Sequence, residues 1–342
     1  MFPGATELPE TSEVLSGAGL YHFAPSATRV RFLDQRMRSD LADSLRYLVS
    51  VLEPHLALDH PGMDSFLARL EKAPTPPLTL AIYSDLVFAT EAGDLPEAQR
   101  LLSLLVSQPD YPGGLRVFPL GDPAKDANAD RYVRYIDTDP NLRMNLSTPG
   151  PDSVRHAETK IQEAMALMEA GDPDLAAEIK ALLREIILCS GREDTGGYTF
   201  DGASTFLLWG AIFINANRRG DDLAMVQMLA HESAHNLLFA LSPDEPLLNN
   251  DSAERYPSPL RDDPRPLEGI YHATFVLARM HRSLRQLLAS NQLSPAQQTR
   301  AEKDADANAR YFAQGMQTLD AHADLTPTGR AILDALHAYQ LT

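Results

Sequence analysis

The residues best suited to chemistry form the order H-E-x-x-H within the stretch MLAHESAHNLLFAL, residues 228–241. His231 and His235 are four positions apart, so on a helix both imidazoles project from one face and converge on one point. The surrounding apolar residues recur at helical spacing, which predicts that the motif lies on a helix. Because imidazole binds zinc, iron and copper well, the motif predicts a metal ion. The competing interpretation is an ordinary helix with two packed or solvated histidines.

A catalytic metal site needs a third protein ligand from elsewhere in the fold. The next predicted helix offers Glu268 and His272, which again share one face. His272 lies in the apolar stretch IYHATFVL, where an imidazole without a partner is costly to bury, so it is the preferred ligand. Glu268 lies in the predicted first turn, where the helix dipole favours a carboxylate. Capping alone explains a glutamate at this position adequately, so Glu268 is the second candidate for the third ligand.

One reaction that fits such a centre is peptide hydrolysis. Zinc held by His231, His235 and a third group would polarise a peptide carbonyl while Glu232 activates the attacking water. The strand around WGAIFIN is predicted to be an edge against which an extended peptide lies. The longer H-E-x-x-H-x-x-G-x-x-H signature of one peptidase group is missing, because NLLFALS follows His235 directly.

The other reaction is oxygen chemistry at iron(II), where three protein ligands leave two positions for a bidentate 2-oxo acid and one for dioxygen. The far carboxylate of the co-substrate needs a cation, and arginine binds carboxylates in a two-pronged way. The candidates are Arg261 and Arg265 in the loop RDDPRP, and Arg279 farther along the next helix. Pairing with neighbouring aspartates or contact with solvent is the competing interpretation for these arginines. A third class is a metal-free module that presents a peptide to another maturation enzyme.

The pairing of HESAHNLLFAL with YPSPLRDDPRPLEGIYHATFVLARM resembles the HExxH-motif family associated with ribosomal peptide natural products, understood as 2-oxoglutarate-dependent peptide β-hydroxylases. The resemblance covers roughly residues 200–290, and the first 150 residues carry no matching motif. It implies an iron(II) enzyme on a metallopeptidase-like scaffold. By this resemblance His231 and His235 bind iron, with His272 as the best positional match for the third ligand. A third histidine departs from the usual two-histidine, one-carboxylate set, which keeps Glu268 in consideration.

The expected function is therefore hydroxylation of the β-carbon of a side chain in a precursor peptide, with iron(II) and 2-oxoglutarate as cofactors. In such an oxygenase Glu232 need not act as a base and is expected to orient water or a ligand instead. The alternative is a zinc-dependent metallopeptidase with Glu232 as general base. The expected partners are the precursor peptide and other enzymes of natural product biosynthesis.

Composition limits the classes of partner. The net charge is 30 − 47 = −17, and the scattered acidic residues repel nucleic acids and anionic membranes. Cys189 is the single cysteine, which excludes a disulfide within the chain and is predicted to be buried and structural. No secretory signal or apolar run of membrane-spanning length is found, so the chain is expected to be soluble and cytoplasmic.

Apolar residues recur at helical spacing over most of the chain, and this pattern changes in three regions. LRVFPL (115–120) and RYVRYI (131–136) are rich in β-favouring residues and predict short strands. Residues 196–220 predict one or two strands directly before the motif helix. The run EIKALLREIILCS, in contrast, is predicted to be helical as far as Cys189. Residues 241–266, with six prolines, form a long loop of the kind that is functional or disordered.

The expected fold is mainly helical α+β. A metallopeptidase-like (zincin-like) core would pack a small sheet on the motif helix. A domain boundary near residue 150 would separate a mostly helical region, 1–150, from a metal-binding catalytic domain, 151–342. Near the C-terminus, a capping box at Ser294 and the pair Thr326 and Pro327 predict the starts of the last two helices.

Overall fold

The structure is a computed structural model that describes residues 19–138, 143–191, 200–218, 220–260 and 263–339. Within these residues the protein is mainly helical and contains one small mixed sheet. The expectation of a mainly helical α+β fold is confirmed at this level. Among the helices of the described part, none is both long and apolar enough to cross a membrane.

The first four helices of the described residues pack around a hydrophobic core of their own. Side-chain caps start three of them, at Ser26, Asp59 and Asp94, each of which accepts a hydrogen bond from a backbone N–H three residues later. Their apolar faces meet around Leu45, Leu70 and other buried leucines. The helices are α1 (Ala27–Leu52), α2 (His60–Lys72), α3 (Leu78–Glu91) and α4 (Leu95–Val106).

The sheet contains four strands in the order β1-β2-β4-β3. β1 pairs in parallel with β2, and β2 pairs in parallel with β4, whereas β3 runs antiparallel to β4. β4 is therefore an interior strand of the described sheet, and the prediction that WGAIFIN forms the edge is wrong, because β3 pairs with its outer side at Phe213 and Ile214. The strands are β1 (Arg116–Pro119), β2 (Glu185–Cys189), β3 (Gly202–Ala203) and β4 (Ala211–Asn215).

Seven further helices follow in the described residues. A 3-10 helix, Phe206–Leu208, links β3 to β4. The last two helices begin as predicted, at the capping box of Ser294 and at Thr326. The helices are α5 (Ala127–Ile136), α6 (Pro151–Gly171), α7 (Pro173–Leu182), α8 (Asp222–Leu241), α9 (Leu267–Ala289), α10 (Pro295–His322) and α11 (Pro327–Ala338).

Both faces of the sheet are covered, as its parallel strands require. One face packs on the largest core, with α6 to α9, and the other packs on a smaller core with α3 and α5. Cys189 points into the smaller core and is fully buried, as expected. Side chains alternate between the faces: Ile186, Leu188, Ile212 and Ile214 on the first, Ile187, Cys189, Ala211 and Phe213 on the second.

Two secondary-structure predictions are wrong. The segment RYVRYI lies in helix α5, because Asp126 caps it and its buried residues Ala129, Tyr132 and Ile136 recur at threes and fours. Residues 185–189 form strand β2 and not the end of a helix, since α7 stops at Leu182. A fully buried strand shows no polar alternation, so periodicity cannot separate it from a buried helix.

The predicted boundary near residue 150 does not separate two cores. β1 comes from the first region and pairs with β2 from the second. Val30 and Leu33 of α1 belong to the same core as the motif helix. The first region therefore completes the sheet and the core behind the motif.

Candidate metal centre

The H-E-x-x-H motif lies in the middle of helix α8, which Asp221 caps by accepting a hydrogen bond from the Ala224 N–H. One side of α8 is buried in the large core through leucines such as Leu229 and Leu237. His231 and His235 lie on another face and are only partly buried. Two helical turns of α8 thus present both imidazoles to a solvent-accessible face.

The geometry of the two motif histidines suits a shared metal ion. Their Nε2 atoms are 3.2 Å apart. Two imidazole nitrogens that each bind zinc at about 2.0–2.1 Å in a tetrahedral site lie about 3.3–3.4 Å apart. The distance between His231 and His235 is close to this value, so the pair fits two adjacent coordination positions.

The third histidine lies beside His235 but faces the ring nitrogen opposite to the one that faces His231. His272, on helix α9, has Nδ1 3.1 Å from Nδ1 of His235. An imidazole binds one ion through one nitrogen, and His235 directs Nε2 to His231 and Nδ1 to His272. In the described residues no three His, Cys, Asp or Glu side chains are arranged so that they could hold an ion as they stand. The pair fits a metal, and His272 has to turn before it can join them.

Glu268 lies on the same helix as His272, in the first turn, and its side chain is exposed. The structure brings together His231, His235 and His272, and this set does not include Glu268. Its position near the N-terminus of α9 agrees with the dipole and capping explanation.

The three histidines are held in the neutral form that binds metals. Burial lowers the pKa of His272 to about 4. Burial also lowers the pKa of His231 to about 4, against a smaller opposite effect of Asp201. His235 has a pKa well below its usual value because of burial and then because of its two histidine neighbours. Neutral imidazoles offer a lone pair near pH 7 without the loss of a proton.

Glu232 points away from the solvent and lies under strand β3. Its side chain is buried, and Oε2 accepts a hydrogen bond of 2.9 Å from Ser204 Oγ. Burial raises the pKa of the carboxyl group to about 7, while the Ser204 hydrogen bond lowers it and Asp201 raises it. A Cβ on Gly202 would lie 2.7 Å from Oε1 of Glu232, so a larger residue at this position would force the Glu232 side chain to shift.

Asn236 fixes the motif helix to the turn before β4. It is fully buried; its Oδ1 accepts from the Gly210 N–H at 2.8 Å, and its backbone oxygen accepts from the Trp209 indole N–H at 2.9 Å. Its Nδ2 donates to the Ala211 carbonyl at 3.3 Å. Sequence reasoning missed Asn236 and Ser204. A polar amide within the apolar run HNLLFAL was the available signal for Asn236, because such a group needs partners when it is buried.

The candidate arginines differ in how free they are. Arg279 is buried and directs its two terminal nitrogens to Glu178 and to the Phe23 carbonyl, so neither is free for a co-substrate. Arg265 is partly exposed, and its Nε lies 3.0 Å from Asp263 Oδ2. Arg261 lies outside the described residues. Arg265 is thus the described candidate whose side chain is partly exposed.

Aromatic rings continue the histidine cluster along α8. Phe239 follows His235 by one turn, and the two ring centroids are 6.5 Å apart with an interplanar angle of 23°. Its centroid is also 5.6 Å from that of His272. Phe206, on the 3-10 helix, packs edge to face on Phe239 at 6.3 Å. The histidines therefore have an apolar, aromatic border on one side.

Comparison with family models and curated proteins finds no match. The chain matches no protein-family model, and no curated protein matches it. The geometry of the site is therefore the basis for any proposal of function.

Proposed function

We propose that the chain is an iron(II)/2-oxoglutarate-dependent oxygenase that hydroxylates the β-carbon of a side chain in a ribosomally made precursor peptide. The observation that carries the proposal is the cluster of three neutral imidazoles from two helices, with 3.2 Å between Nε2 of His231 and Nε2 of His235. The resemblance of the stretches around this cluster to peptide β-hydroxylases selects iron and oxygen chemistry among the reactions of metal centres.

The residues of the chain have separate tasks in this proposal. His231 and His235 hold the ion, and His272 supplies the third nitrogen after its ring turns towards the Nε2 pair. When bound there, iron(II) with 2-oxoglutarate supplies the activation of dioxygen that is needed to oxidise an unreactive C–H bond. Three protein ligands leave positions for the co-substrate. The scaffold, a small sheet packed against the motif helix, is in this proposal metallopeptidase-like.

Arg265 is proposed to bind the far carboxylate of 2-oxoglutarate. Its side chain is partly exposed, and it precedes helix α9 by two residues. Asp263 competes for this cation, since the two groups are 3.0 Å apart. Arg261 belongs to the same loop and is the alternative. A planar guanidinium suits this task because it donates two parallel hydrogen bonds to one carboxylate.

Ser204 and Glu232 favour a second candidate function, that of a zinc-dependent metallopeptidase. Glu232 is buried one residue from a proposed ligand and accepts a hydrogen bond from Ser204, as a carboxylate held in place to activate water would. In the oxygenase the same carboxylate orients water or a ligand. The two functions therefore differ in how much they depend on Glu232.

The proposed partners follow from the reaction and the charge. The substrate is a precursor peptide, and other peptide-maturation enzymes act on the same peptide before or after this protein. Nucleic acids and membranes are not proposed as partners, because the net charge of −17 repels both. The proposed location is the cytoplasm, where a lone buried thiol such as Cys189 stays reduced.

The first experiment is anaerobic reconstitution with iron(II), followed by titration with 2-oxoglutarate while the weak visible charge-transfer band of a bidentate chelate is recorded. We expect a saturable band that is lost in His231→Ala and His235→Ala and kept in His55→Ala, which changes an exposed histidine. Absence of the band, together with zinc retained through purification, would replace the oxygenase proposal by the peptidase. The next step would then be a search for cleavage that depends on Glu232.

A further inference from the structure

Phe239 lies in the row of the motif histidines on helix α8, at the margin of the large core. It follows His231 and His235 at the same four-residue interval, which places all three side chains in one row. The neighbouring core positions of this turn are filled by Leu237, Leu238 and other fully buried residues. Phe239 itself is only partly buried, so part of a large apolar ring borders the accessible histidines.

A second ring extends this border across the site. Phe206 comes from the 3-10 helix between β3 and β4, and its ring packs edge to face on Phe239 with 6.3 Å between centroids and 74° between planes. Phe206 is also partly exposed. The two phenylalanines, from separate elements, form a continuous apolar surface that we call the aromatic wall.

The aromatic wall lies beside two of the three histidines. The centroid of Phe239 is 5.6 Å from that of His272 and 6.5 Å from that of His235. A substrate atom that reacts beside these imidazoles therefore lies within the length of one side chain from the aromatic wall. Apolar surface next to a few convergent polar groups is the usual composition of a small-molecule or side-chain pocket.

We propose that Phe206 and Phe239 receive the side chain that is modified, and that the substrate residue is apolar, with aromatic side chains favoured over aliphatic ones. This inference rests on the proposed function: when the β-carbon reacts, the rest of the side chain extends beyond it and needs a surface beside the histidines. A carboxylate would lose hydration against two phenylalanine rings without gaining a partner, and a lysine would recover only about 0.5–1 kcal/mol through an exposed cation–π contact. Offset and edge-to-face packing favours an aromatic guest.

The test uses the full chain and four probes: the N-acetyl amides of phenylalanine, leucine, lysine and aspartic acid. Binding is measured by saturation-transfer NMR, with the metal-loaded and metal-free protein in parallel. We expect the phenylalanine probe to bind at least tenfold more tightly than the two charged probes and more tightly than the leucine probe. Equal binding of the four probes, or tighter binding of a charged probe, would overturn the proposal.

Variants connect the preference to the aromatic wall. Phe239→Ala and Phe206→Ala should each reduce the preference for the phenylalanine probe about tenfold, and Phe239→Leu should keep the preference over charged probes while losing the advantage of aromatic ones. Phe88→Ala is the matched control, because Phe88 is a 59% exposed phenylalanine on α3. If the preference is unchanged in both alanine variants, the wall is not the receiving surface. The leucine variant preserves the test if an alanine variant fails to fold.

Failure of this inference can be separated from failure of the proposed function. A normal iron and 2-oxoglutarate band with no preference among the probes would overturn the aromatic wall alone. Preference for the phenylalanine probe that disappears in Phe239→Ala, in a protein with no such band, would remove the oxygenase and leave an aromatic-binding site. The circular dichroism spectrum of each variant checks that the fold is retained.

Discussion

The Oγ of Ser204 donates a hydrogen bond of 2.9 Å to Oε2 of Glu232, and thereby joins the segment that follows β3 to the motif helix. The bond connects the residue after β3, one of the two edge strands of the described sheet, with the residue next to His231. It holds the Glu232 carboxylate in a buried position beneath Gly202. The two proposed functions make different use of this held carboxylate.

Glu232→Gln distinguishes these functions. In a peptidase the variant should lose at least a hundredfold in kcat/KM, because general-base catalysis contributes about 10²–10⁴-fold. In the oxygenase we expect a smaller loss, because an amide still fills the site and accepts from Ser204. Ser204→Ala is the companion variant and should have a weaker effect in the same direction. A Glu232→Gln protein without any hydroxylation, but with normal iron binding, would contradict the orienting role.

Arg265 is expected to set the affinity for the co-substrate. Arg265→Ala should raise the KM for 2-oxoglutarate at least tenfold with little change in iron binding, since a charge-assisted carboxylate contact contributes about 1.5–3 kcal/mol. Arg265→Lys should recover part of this loss. Initial rates over a range of 2-oxoglutarate concentrations measure the effect. Arg255→Ala, which changes an exposed arginine of the same loop, is the control. Unchanged co-substrate dependence would remove Arg265 from the site.

Asn236 is expected to contribute to stability more than to chemistry. Asn236→Ala should lower the free energy of unfolding by about 1–3 kcal/mol, because the Gly210 N–H then loses its buried acceptor. Urea denaturation measures this change. Asn128→Ala serves as the reference, since Asn128 is exposed, and should stay within about 0.5 kcal/mol of the parent protein. A loss of metal affinity that exceeds the loss of stability would show that Asn236 also positions His235.

The buried ion pairs of Glu178 predict how stability depends on pH. Glu178 is almost fully buried between Arg279 and Arg29, and its oxygen lies 2.9 Å from Nη2 of Arg29. Burial by itself would raise the pKa of Glu178, but the attraction of Arg279 and then of Arg29 holds it below its usual value. A lowered pKa in the folded state stabilises the protein above the unfolded pKa, about 4.3, and this contribution disappears as the pH falls through the folded pKa.

The measurement is the unfolding free energy of the parent and of Glu178→Gln between pH 7 and pH 3. At pH 7 the variant should be less stable by about 3–5 kcal/mol, because the arginines lose a buried counter-ion. This difference should shrink as the pH falls below about 4. Glu169→Gln, in an exposed pair with Lys180, is the control and should show neither effect. A constant difference over this pH range would contradict the prediction.

Local patterns predicted the elements that carry the histidines, because a row of residues at four-residue spacing is a property of one helix. The motif helix and the face of α9 with His272 could be found in this way. Ser204 and Asn236 could not be assigned their partners, since Glu232 and Gly210 are 28 and 26 residues away in sequence. Such contacts depend on the position of helix α8 relative to the segments beside β3 and β4.

The two errors in secondary structure have different physical origins. Residue types that favour strands, as in RYVRYI, say less than the spacing of the residues that become buried, and α5 buries residues at threes and fours. The buried strand β2 shows the reverse case, since its five residues are apolar or inward-facing and have no period to detect. The interior place of β4 likewise depended on pairing with β2 and β3.

β1 lies at one margin of the sheet and satisfies the outer backbone groups of β2 from Glu185 to Leu188. A chain that began at residue 151 would keep every histidine of the candidate centre but would leave this strand, apolar from Ile186 onward, with free N–H and C=O groups. Such a margin is a template for pairing with other copies. Strand β1 of the first region thus covers an edge of β2 that would otherwise be open to pairing with another copy.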